Sequence, residues 1–128
     1  MYTMMQVCHE TNMNYEALKF YCNQGLIPNV KRDKNNRRVF DDHDLAWIKD
    51  LVCLKKCGMS IQEMKAYLAL CLQGPDTIPQ RKVMLEEKQQ ALREQIAELN
   101  DCIDFIDWKQ GFYDDVLAGR RPYVSNLI

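Results

Sequence analysis

Apolar positions recur at helical spacing along most of this chain, and residues that stop helices fill the gaps between the runs. Met4, Met5 and Val7 open a short first helix, and Asn12 falls where a tight turn accepts a left-handed residue. Asn14 can cap a second helix that runs through Leu18 and Tyr21 and stops near Gly25. Two short helices joined by so brief a turn make a helix-turn-helix. From Val30 to Phe40 the polar turn Asp33-Lys34-Asn35-Asn36 separates two short extended pieces, the pattern of a two-stranded wing. Asp41 or Asp42 caps a third helix with Leu45, Ile48, Leu51 and Val52 on one side, and Gly58 ends it. Ser60 with Glu63 forms a capping box for a fourth helix from Ile61 to Leu72.

Gly74-Pro75, with Pro79 close behind, marks a linker, and past it the apolar period changes to seven. Leu85, Leu92, Leu99, Ile106 and Tyr113 occupy one heptad position, and Ile96, Ile103 and Leu117 the other, with Gln89 and Gln110 breaking the second series. About thirty residues of this pattern give a helix roughly 45 Å long, too long and too narrow in its stripe to be buried by so small a head. A second copy of the chain is the simplest partner. The expected architecture is mainly α: a winged helix-turn-helix head over residues 1–73, a linker and coiled-coil dimerisation helix over 74–118, and a tail over 119–128.

Composition changes this picture in two places. The net charge of −1 argues against a polyanionic partner, but the charge is unevenly placed. Between Lys19 and Arg38 six cations (Lys19, Lys31, Arg32, Lys34, Arg37 and Arg38) face the single acid Asp33, whereas from Glu86 to Asp115 nine acids face three cations. A basic head on an acidic stalk fits a protein that grips double-stranded DNA. Six cysteines spread over helical patterns, none paired at zinc-ribbon spacing, read as reduced thiols of a cytoplasmic protein. No eighteen-residue apolar run and no signal-peptide pattern is present, so neither membrane contact nor export is expected. Nor is an enzyme or a cofactor: His9 and His43 have no evident nucleophile or acid partner, and no glycine loop would cradle phosphate.

The segments Asn14-x4-Lys19-Phe20-Tyr21-x3-Gly25-Leu26-Ile27, Arg38-x-Phe40, Asp42-x-Asp44-Leu45 and Gly58-Met59-Ser60-Ile61 resemble the MerR family of transcription regulators across essentially the whole chain. The family usually has Arg, Tyr and Glu where this chain has Lys19, Phe20 and Cys22, and Tyr where it has Phe40. The resemblance implies a homodimer joined by an antiparallel coiled coil, each head on half of a palindromic operator between promoter elements set too far apart. It implies that the dimer distorts this DNA and so realigns the contacts of RNA polymerase. DNA-contacting residues expected on this basis are Asn14, Tyr15, Lys19, Phe20, Tyr21, Arg37, Arg38 and Phe40. The chemistry grades them: Lys19 offers a point charge where arginine offers a fork, Tyr15 and Tyr21 can donate to phosphate, and Phe20 cannot. Equally, Phe20 and Tyr21 could simply fill the core beneath the helix.

Cys53 resembles the lone cysteine of the NmlR/AdhR-type branch, which responds to aldehydes and other electrophiles. On a helical wheel it shares a side with Ala46, Lys49 and Lys56, cations that can stabilise a thiolate. The bland alternative is a small inert core residue. Cys57, one turn on, is a possible resolving thiol, though an i,i+4 pair suits a disulfide poorly. Two alternatives stand beside the electrophile reading: a metal held by Cys71 and Cys102, and a coiled-coil module whose head binds protein rather than DNA.

Overall fold

Four capped helices in a row set the geometry of the head. In the computed structural model, which describes residues 1–128, β1 (Tyr2–Thr3) leads into α1 (Met4–Thr11). The Thr3 side chain accepts from the Gln6 amide, and Asn12 turns the chain at φ 55°. The second helix α2 (Tyr15–Asn23) starts at Asn14, whose side chain accepts from the Ala17 amide, and Gly25 leaves it at φ +75°. The wing follows as β2 (Lys31–Arg32) and β3 (Arg38–Phe40). Asp33 Oδ1 accepts from the amides of Asn35 and Arg37, both at 2.9 Å, which folds the turn between the two strands.

The N-terminal strand is absent from the sequence reading. Tyr2 pairs with Phe40 and Thr3 with Val39, so the sheet has three antiparallel strands in the order β1-β3-β2, with Lys31 opposite Val39. That pairing makes β3 the central strand and drives Phe40 to 0% exposure.

Helix α3 (Asp42–Lys56) is capped by Asp41 through a reciprocal box with Asp44, and α4 (Ile61–Leu72) by Ser60 with Glu63. The core of the head gathers Val7, Leu18, Leu26, Phe40, Ile48, Leu51 and Met64, all fully buried. A short 3₁₀ turn, Pro75–Thr77, then opens α5 (Ile78–Leu117), 40 residues long. Met1–Lys88 form one compact unit and Gln89–Ile128 a second. Within the first unit, Lys88 near the start of α5 pairs with Glu63 of α4 at 2.8 Å. In the second unit Ile96, Leu99, Ile103 and Ile106 are each more than half exposed, and Gly119 ends the helix with Arg120 N–H bonded to the Asp115 carbonyl at 2.8 Å. No helix is long and apolar enough to cross a membrane.

Candidate nucleic-acid interface

The exposed side of the head brings together the start of α1, the start of α2 and the wing. Thr3, Met5, Tyr15, Arg32, Asp33, Arg37 and Arg38 line one groove of about 520 Å³, so three arginines and one acid of the wing share it with the start of α2. Arg38 Nη2 donates to Asn23 Oδ1 at 2.8 Å, which fixes the wing to the end of α2. Arg32 Nη1 donates to the Asn36 carbonyl at 3.0 Å and steadies the wing tip. Positively charged forks held at the edge of a short exposed helix can clamp the phosphates of a duplex while the helix enters a groove.

Of the expected contact residues, Asn14, Tyr15, Lys19, Phe20 and Arg37 are exposed and Arg38 is half-buried. Two expectations are corrected. Tyr21 is 2% exposed and Phe40 0%, so both belong to the core and cannot present their rings to DNA. Tyr21 follows Leu18 at i+3 on the inward side of α2, whereas Phe20, turned away from that side, is 47% exposed. The Tyr21 hydroxyl has no hydrogen-bond partner in the protein, and burial pushes its pKa up. Phe40 acts at one remove by holding the wing against the core.

A second groove of about 540 Å³ lies on the other side of α2, where Asn14, Ala17 and Phe20 meet Lys55, Ser60 and Ile61. No local pattern marks Lys55, because the groove joins the end of α3 to a helix far earlier in the chain. Cys22, in place of the family's glutamate, is half-buried; burial pushes its thiol up, and Arg38 and Arg32 oppose the shift.

Cys53 is exposed on α3, which removes the reading of it as core filler. It lines a shallow cavity of about 280 Å³ with Asp50, Leu54, Tyr67 and Leu85. Lys49 and Lys56, its neighbours on the helical wheel, do not line this cavity, whereas Asp50 does. Cys57 and Cys71 are half-buried and Cys102 is exposed. No three His, Cys, Asp or Glu side chains come together as a metal-binding group.

This geometry has counterparts among known proteins. The family model for MerR helix-turn-helix regulatory proteins matches residues 2–71, and that for MerR DNA binding matches residues 44–108. An uncharacterized HTH-type transcriptional regulator of Haemophilus influenzae is 36% identical over 126 residues, covering 98% of this chain and 93% of its own. AdhR, an HTH-type transcriptional regulator of Bacillus subtilis, is 34% identical over 89 residues, 70% of this chain and 64% of its own. Among solved structures, HiNmlR, a MerR family regulator lacking the sensor domain and bound to promoter DNA, superposes with a TM-score of 0.75 at 36% identity. That match covers 91% of this chain and 93% of HiNmlR. A MerR family regulator from Listeria monocytogenes reaches a TM-score of 0.80 at 26% identity, covering 93% of this chain and 90% of its own. These matches leave no room for a head that only docks protein, or for an enzyme: the chain belongs to the MerR family and is a DNA-binding transcriptional regulator.

Proposed function

We propose that two copies of this chain pair through α5 and lay their heads on the halves of a palindromic promoter operator. Asn14, Tyr15, Lys19 and Phe20 face the groove, Arg37 and Arg38 hold the backbone, and distortion of the bound duplex switches transcription. In functional terms residues 1–73 read DNA, 74–118 link and dimerise, and 119–128 form a tail. The observation that carries this reading is that Arg32, Arg37 and Arg38 of the wing line one groove with Tyr15 of α2. HiNmlR, bound to promoter DNA, supports it. The test is footprinting on the DNA upstream of the protein's own coding sequence, combined with a bending assay. A protected palindrome with a changed bend is expected; protection without any change in bend removes the distortion step.

The signal we assign to this regulator is covalent modification of Cys53, supported by the exposure of its thiol and the apolar side chains beside it. With formaldehyde the thiol sulfur bonds to the carbonyl carbon and the thiol proton ends on the oxygen, giving a hemithioacetal with no other reactant. Reporter activation by formaldehyde in the wild type and its loss in Cys53→Ala is the expected outcome. An equal response in the mutant would falsify the sensor role and leave DNA binding standing.

A further inference from the structure

Lys31 is one of the six cations that give the head its positive charge, yet its side chain, 40% exposed, lies along the surface against the first turn of α3. Its ammonium donates to the Asp41 carboxylate at 2.8 Å, to Asp44 at 3.2 Å and to the Asn29 carbonyl at 2.9 Å. Asp44 is itself only 5% exposed, and these contacts use all three protons of the ammonium. Successive strand residues face opposite sides, so while Arg32 turns to the groove beside Tyr15, Lys31 turns to the first turn of α3. The same turn also holds the other outer strand: Tyr2 Oη donates to Asp42 Oδ1 at 2.7 Å. Strand β3 runs straight into it through Asp41. A three-stranded sheet with two- and three-residue strands has few ladder bonds of its own, so its pose is set by what its edges are tied to.

We propose that Lys31 is a positioning residue for DNA binding: through Asp41 and Asp44 it locks the wing to α3, and its charge is spent on these two carboxylates rather than on phosphate. The consequence is a separation of two quantities that a surface cation would move together. Removing a phosphate contact weakens affinity and flattens its salt dependence by about 0.9 in slope per contact. Removing Lys31 weakens affinity by about tenfold, because a loosened wing must be ordered before its arginines can bind, but the complex once formed neutralises the same number of phosphates and keeps the same slope.

The experiment measures affinity against salt concentration for a duplex from the protein's own upstream region, with an unrelated duplex of equal length as reference. Lys31→Met is expected to bind about tenfold more weakly with the wild-type slope, whereas Arg37→Ala loses about 0.9 in slope. Lys31→Arg, which keeps charge and donors, returns affinity to near the wild type. Because Lys31→Met could unfold the head, Asp41→Asn serves as the second variant: the single oxygen of asparagine still caps α3, while the carboxylate oxygen that accepts from Lys31 is lost with its charge. It is expected to weaken binding in the same sense and to speed amide exchange over residues 32–38. A slope that falls by about 0.9 in Lys31→Met places the ammonium on phosphate and overturns the proposal. So does wild-type affinity in both Lys31→Met and Asp41→Asn.

Discussion

The indole N–H of Trp47 donates to the backbone carbonyl of Leu26 at 2.7 Å, joining the middle of α3 to the turn that ends α2. Leu26 is fully buried, so its carbonyl has no easy alternative in water. Trp47→Phe leaves a phenyl ring to stack where the indole now lies 6.4 Å from Tyr67, but removes the donor. Stripping a partner from a buried carbonyl costs about 1–3 kcal/mol. Chemical denaturation should show a loss in that range, and an unchanged midpoint would remove Trp47 as the tie.

Tyr21 makes the opposite case. Its hydroxyl is buried with no protein partner, so Tyr21→Phe removes a desolvated polar group and keeps the ring. Stability should be unchanged or rise by about 1 kcal/mol. A loss of stability in thermal unfolding would show that the hydroxyl is paired in solution.

The acid limb of the stability curve should report the wing clamp. The hydrogen bond from Lys31, aided by the Asp44 amide, holds the Asp41 carboxyl at about 2 against its ordinary 3.8. A carboxylate depressed on folding stabilises the protein fully above its unfolded pKa and loses that contribution as pH falls through the folded one. The window is therefore pH 4 down to 2. Glu63, lowered by Lys88 and the Ser60 amide, adds in the same direction. Tm measured against pH should separate wild type from Asp41→Asn above pH 4 and bring the two together near pH 2. Parallel curves across that window would mean that the pair contributes nothing in solution.

Local chemistry was the legible part of this chain. Asn12 in its left-handed turn, Asn14 at the start of α2, and the Ser60–Glu63 box each depend on a few adjacent residues, and each stands where their types put it. What sequence hid was the side of an element that faces in. A one-residue change in helix phase exchanges Phe20 and Tyr21, and the apolar pattern of so short a helix fixes that phase weakly. Phe40 went inside because Tyr2 and Thr3 pair with β3, and two strand residues carry no periodicity to detect. Charge was hidden for the same reason: Lys31 and Arg32 read alike in a basic run until the pleat sends one to α3 and the other to the groove. Lys55 joins Asn14, Ala17 and Phe20 only in the folded chain, where the end of α3 and α2 line one groove.

Dimer formation through α5 predicts that one charge in the seam separates association from folding. Ile96, Leu99, Ile103 and Ile106 lie at heptad positions and are 52–62% exposed in the single chain, while no side chain of the helix is buried. An apolar stripe this long left in water is unfavourable at about 25 cal/mol per Å², and covering it with the same stripe of a second copy recovers that energy on both. Ile106→Glu places a carboxylate where two apolar surfaces meet, and its desolvation has no compensating partner. The head, whose core lies in Met1–Lys88, contains none of the altered contacts and should unfold as before. Sedimentation should therefore report a monomer with native helical content, and affinity for a palindromic duplex should fall towards that of a single half-site. A variant that still sediments as the wild type would show that the seven-residue stripe is not the pairing surface.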